Sequence, residues 1–247
     1  MKKFTLLFLT VIMMGAYTTR VNAQAALLVL LFGDKVASEN FYFSLKLGTN
    51  YANLNGIDNT NGKFGINFGL MATIKLSDKW YLVPEFAALS KKGAKDIEYI
   101  SSGIPELDML MGDPDASSMN LNYIDVPVIL NYVISEDFWL GTGPQFSFNT
   151  SAKNEYDVEV QPEDELDYFQ GSQLEWNTFD FGWAFEFTYN LWDIRGGKGL
   201  NVNLRYTLGI TDIIKDNQGD AVTNSVFQLS FSFPFIADPE EEDGSQN

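Results

Sequence analysis

Residues 179–191 read FDFGWAFEFTYNL. One set of alternate positions is Phe179, Phe181, Trp183, Phe185, Phe187, Tyr189 and Leu191. The set between them is Asp180, Gly182, Ala184, Glu186, Thr188 and Asn190. A β-strand sends successive side chains to opposite faces, so this stretch is a strand with one aromatic face and one small or polar face. Outside-greasy, inside-polar strands are the signature of a barrel wall in lipid.

The same period of two recurs on both sides of this stretch. Phe64, Ile66, Phe68, Leu70, Ala72, Ile74 and Leu76 alternate with Gly65, Asn67, Gly69, Met71, Thr73 and Lys75. Similar runs begin at Phe41, Ile124, Leu200 and Phe227, and less regular ones cover Trp80–Ser90 and Phe138–Asn149. That gives about eight strands of the 9–11 residues that cross a membrane when tilted. A soluble β-sandwich alternates too, but its connections have no reason to alternate strictly in length. Here they do. Short turns at Ser77–Lys79, Ser135–Asp137 and Asp193–Gly199 alternate with longer connections at Tyr51–Lys63, Lys91–Met119, Ser151–Trp176 and Asp212–Thr223. The expected fold is all-β: a closed antiparallel transmembrane β-barrel of about eight strands, which leaves no backbone group unpaired in lipid.

Segments outside the strands divide the chain further. Lys2 and Lys3, the apolar run Phe4–Tyr17 and the small-x-Ala triplet Val21-Asn22-Ala23 read as a cleaved signal peptide over residues 1–23. Residues 24–40 are expected to form a periplasmic segment, with Ala25–Phe32 as a short helix or strap. The barrel takes residues 41–235, and residues 236–247 form an acidic, disordered periplasmic tail. Both termini then face the periplasm and the long loops face outward, so the chain is expected in the outer membrane with its lipid as one partner.

Composition removes whole classes of chemistry. The chain has no histidine and no cysteine, so imidazole bases, thiolates and most transition-metal sites are absent. A formal net charge of −17 repels nucleic acid. Gly196-Gly197-Lys198-Gly199 lacks the strand–loop–helix context of a phosphate cradle. The loop acids Glu155, Asp157, Glu159, Glu163, Asp164, Glu165 and Asp167 lack calcium-loop spacing and read as a solvated, mobile loop. No catalytic, cofactor or metal residue is expected, and no enzyme.

Two structural sets follow from the alternation. If Leu191 pairs with Leu200, antiparallel register sets Glu186 opposite Arg205 on the polar face, and Lys46, Glu85 and Asp125 fall at comparable depths. These five are expected to form a charge-paired plug in the lumen. Trp80, Tyr81, Trp139 and Trp192 lie beside the short turns, where a periplasmic aromatic girdle belongs.

The stretches LSDKWYLVPEF (Leu76–Phe86), LNYIDVPVILNY (Leu121–Tyr132), GTGPQFSF (Gly141–Phe148), FDFGWAFEF (Phe179–Phe187) and VFQLSFSF (Val226–Phe233) resemble the PorT-like outer-membrane β-barrel family of Gram-negative bacteria. The resemblance covers about Phe41 to Phe235 and implies the barrel rather than a role. One branch of that family is implicated in type IX protein secretion, and no residue here selects that branch. The chain departs from many such barrels in carrying a polar tail after Phe235 rather than ending on an aromatic residue. The leading functional expectation is a structural or interaction barrel with a filled lumen. The alternatives are an accessory of a secretion or envelope assembly, a narrow porin, and, least favoured, an outer-membrane enzyme.

Overall fold

Ten strands form one sheet in the computed structural model, which describes residues 37–38, 40–57, 60–96, 117–161, 164–171, 175–192, 199–217 and 219–235. They are β1 (Ala37–Ser38), β2 (Phe41–Asn55), β3 (Asn61–Lys75), β4 (Trp80–Lys95), β5 (Ser117–Val133), β6 (Phe138–Gln161), β7 (Asp164–Gly171), β8 (Phe179–Trp192), β9 (Leu200–Gly209) and β10 (Thr223–Phe235). No helix occurs among the described residues. The expected signal peptide, the Ala25–Phe32 strap and the acidic tail lie outside them. Of the segment 24–40, Ala37–Ser38 turns back to pair with Phe41–Tyr42.

Eight strands make the ring. β2 pairs with both β3 and β10, so the order β2–β10–β9–β8–β6–β5–β4–β3 closes on itself, and every pairing is antiparallel. Closure pairs each wall strand on both sides, which lipid demands because it offers no water to stray N–H or C=O groups. Along β2 and β10 the ladder runs unbroken from Phe43↔Phe235 to Asn55↔Thr223.

The outer face carries the large apolar side chains. Phe64, Ile66, Phe68 and Leu70 on β3, Phe185 and Leu191 on β8, and Phe227, Leu229, Phe231 and Phe233 on β10 are all exposed. Trp183 shares this face, and its indole N–H donates to Thr142 Oγ1 at 2.7 Å while that hydroxyl donates to the Ala184 carbonyl at 3.0 Å. Both polar groups are therefore satisfied without water, as a lipid-facing position requires.

The strands outrun the apolar band at the long-loop end, which corrects the expected connections. β2 and β3 are joined by residues 56–60 alone, β4 runs to Lys95, and the expected mobile loop at 151–176 holds the end of β6 and all of β7. The reason is local: Tyr156, Val158 and Val160 alternate with Asp157 and Glu159, a strand pattern that the acid density hides. Gly93 marks the demands of this extended wall. Its φ of 134° lies where side-chain-bearing residues rarely go, and an added Cβ would stand 1.9 Å from the Met119 carbonyl oxygen. Gly93→Ala is expected to cost about 2–3 kcal/mol from backbone strain and overpacking. A lowered urea midpoint in vesicles, read by tryptophan fluorescence, is the check.

Candidate functional site: the barrel lumen

Alternation turns the small and polar set of each strand inward, and eight strands leave a bore that side chains can fill. The lumen contains two charged tiers between two apolar layers.

The first tier joins Lys46, Glu85, Glu186 and Arg205, from β2, β4, β8 and β9. Lys46 Nζ lies 3.1 and 3.2 Å from the two oxygens of Glu85 and 3.2 Å from Glu186 Oε2. Arg205 Nη1 donates to Glu85 Oε2 at 3.0 Å, and Nη2 donates to both Glu85 Oε1 and Glu186 Oε2. All four are buried, Arg205 at 2 % exposure and Glu186 at 3 %. Two cations therefore meet two carboxylates, a neutral set whose charge-assisted hydrogen bonds offset desolvation. β4 and β9 stand four strands apart in either direction round the ring. The Arg205–Glu85 pair thus spans the bore.

Glu186 and Arg205 are direct cross-strand partners. The expected partner of Leu200 is displaced, however: Trp192 takes that place, and an irregularity between Asn190 and Trp192 absorbs the extra residue. The Glu186–Arg205 register survives because the irregularity lies between it and the turn.

Asp125 does not join this tier. It accepts from Lys92 Nζ at 2.9 Å, and Lys92 also donates to Ser147 Oγ at 3.1 Å and lies 4.3 Å from the centre of the Tyr123 ring. Asp180 completes the second tier, accepting from Asn224 Nδ2 at 2.8 Å and from Thr211 Oγ1 at 3.2 Å. Amides fill the space around the tiers. Asn50 Oδ1 accepts from Asn67 at 2.9 Å and from Gln228 at 3.0 Å, and Thr207 donates to Gln145 at 3.0 Å. Between Glu85, Asp125, Arg205 and Gln228 remains a cavity offering a water centre about 10 Å³, room for one water molecule.

Sequence reading missed Lys92 and Asp180. Lys92 lies in the expected connection Lys91–Met119. The register of β4 against β5 shifts between Ala87 and Ser90, so the inward positions change from odd (Val83, Glu85) to even (Ser90, Lys92). The available signal was Ser90-x-Lys92-x-Ala94, alternating beyond the expected strand end.

Apolar layers close both ends. At the long-loop end Leu54, Met119, Leu121, Tyr123, Ile213 and Val222 form one buried cluster. Ile213 is carried there by the connection after β9. Its N–H donates to the Val222 carbonyl at 2.9 Å, and Asp212 Oδ1 accepts from the N–H groups of Ile214 and Val222 at 3.0 and 3.2 Å. Outside this cap Lys215 pairs with Glu175 at 2.7 Å, and the hydrogen bond from the lysine lowers the glutamate's pKa. At the short-turn end Met71, Val83, Ile129 and Ala184 pack with Tyr81.

That second layer corrects the expected girdle. Trp80 is exposed on the outer face and lies 4.9 Å from the Tyr132 ring. Tyr81 instead stacks on Trp139 at 4.6 Å and 18°, and Trp139 is buried. Parity explains this: Tyr81 shares the face of Val83 and Glu85, and Trp139 that of Gln145 and Ser147, so both point into the bore. Trp192 is placed only by its backbone pairing with Leu200.

Among the described residues no group of three or more carboxylates is arranged to hold a metal ion. Among solved structures, OprG of Pseudomonas aeruginosa is similar at 15 % identity over 83 % of this chain and 100 % of that one, with a TM-score of 0.44. Ail of Yersinia pestis, solved with the heparin analogue sucrose octasulfate, is similar at 12 % identity over 79 % of this chain and 99 % of that one, with a TM-score of 0.42. Neisserial surface protein A is similar at 12 % identity over 79 % and 97 %, with a TM-score of 0.40. No curated protein matches the chain. A family model does: it covers residues 23–215, most of the chain and most of the barrel just described. The chain belongs to the outer membrane protein beta-barrel domain family.

Proposed function

We propose that this protein is a non-conducting, non-catalytic barrel of the outer membrane that works by contact, through the strands and connections at its long-loop end. The observation that carries the reading is the Arg205–Glu85 pair spanning the bore, backed by Lys46 and Glu186. An ion on this path would have to displace a neutral, fully buried ion-pair set and then pass two apolar layers. With both tiers serving as structural glue, what remains for function is the outer surface and the two ends.

The orientation in this reading puts the long-loop end outside the cell and the chain termini in the periplasm. Its support is the asymmetry of connections, short at one end and extended at the other. The stretches Leu121–Tyr132 and Phe179–Phe187 support a position among the PorT-like barrels. A role as accessory to secretion or envelope assembly would be one form of such contact, and co-purification from detergent-solubilised outer membrane is the way to find that partner.

Planar-bilayer recording tests the sealed lumen. Purified protein is expected to give no current steps above the bare-membrane baseline, and stable ohmic steps would overturn the reading. An epitope tag at Pro162 tests the orientation: it is expected to be detected on intact cells, and detection only after permeabilisation would invert the barrel.

A further inference from the structure

Two of the described strands lie outside the closed ring, the two-residue β1 and the longer β7. β7 pairs with β6 from Lys153↔Gly171 to Gln161↔Asp164, and among the described residues it pairs with no other strand. β6 is held on its other side by β5 as far as Ser117↔Tyr156. A sheet of β5, β6 and β7 therefore projects beyond the apolar band, and its outer rim is the second edge of β7. Along that rim alternate residues direct N–H and C=O groups away from β6. A row of such groups is a template on which another extended chain can add a strand.

Charge decides which chain. β7 carries Asp164, Glu165 and Asp167 and no lysine or arginine, and the paired stretch of β6 adds Glu155, Asp157 and Glu159 against the single Lys153. A second copy of this protein pairing rim to rim would add a further row of acids to those already opposed at Asp157↔Asp167 and Glu159↔Glu165, which is destabilising. A basic extended segment meets the opposite situation. Its backbone completes the ladder and its side chains neutralise the acids.

We propose that the edge of β7 opposite β6, which pairs with no other strand among the described residues, binds an extended, lysine- or arginine-bearing segment of another polypeptide by β-strand addition. This deepens the contact reading above, but it requires only an open edge and not an outward-facing one. Its failure and a failure of the orientation are therefore separately visible.

The test uses the full-length protein in detergent and a peptide alternating lysine with valine. The control is the same peptide N-methylated at alternate residues, which keeps its charge and removes ladder donors. Hydrogen exchange of the amides of residues 164–171 is expected to slow with the plain peptide and not with the methylated one. Glu165→Gln with Asp167→Asn is expected to weaken the plain peptide by about tenfold, as loss of charge complementarity predicts. Equal binding of the two peptides would reduce the contact to adhesion by charge and overturn the proposal. Absence of protection on β7 in the unaltered protein would overturn it as well, with no variant needed.

Discussion

Arg205→Leu is expected to lower unfolding stability by about 3–5 kcal/mol, the usual cost of stranding a buried charge. Arg205 donates to both oxygens of Glu85 and to Glu186. Without it, two buried carboxylates face Lys46 alone. Adding Glu186→Gln restores one cation to one carboxylate. Glu186 is the better group to neutralise, because Lys46 contacts only one of its oxygens but both oxygens of Glu85. The double variant is expected to exceed the additive sum by about 1 kcal/mol or more, within the range found for residues in one network. Urea unfolding in lipid vesicles, followed by tryptophan fluorescence, supplies all the corners of the cycle. An additive double variant would break the network claim.

Lys92→Met should cost about as much, roughly 3–5 kcal/mol, by stranding Asp125 in the second tier. The lost contact with the Tyr123 ring adds to this, since a desolvated cation over an aromatic face contributes about 2 kcal/mol. Lys92 is 4 % exposed and Asp125 5 %, so water is not at hand to replace the lysine. Asp125→Asn in the Lys92→Met background is expected to recover part of the loss, whereas the same change alone is expected to destabilise. The two tiers also make an expectation about independence. Lys92→Met and Arg205→Leu share no direct ion-pair partner, so their costs should add within about 0.5 kcal/mol. Strong coupling between them would mean that the cavity between Glu85 and Asp125 links the tiers into one network.

The features that the amino-acid sequence determined alone are those set by local geometry. Alternation along 179–191 and its counterparts fixes which side chains face outward, because successive residues of any strand point oppositely whatever lies around them. The number of strands in the ring, their antiparallel order and the meeting of Glu186 with Arg205 need only that alternation and a hairpin register. Each remains legible because neighbouring strands in the chain are neighbours in space.

Tertiary structure decided what alternation cannot carry. The irregularity at Ala87–Ser90 changes the parity of β4, and only the pairing with β5 reveals that Lys92 thereby enters the lumen. Tyr81 and Trp139 look like interfacial aromatics by position along the chain, yet their inward parity brings them into a stack inside the bore, with Tyr81 packed against the apolar layer at that end. Contacts across the bore are the furthest from local reading. Glu85 meets Arg205 because eight strands closed with a particular stagger set two distant strands face to face at one depth. Strand tilt and shear are properties of the closed ring, and no single strand records them.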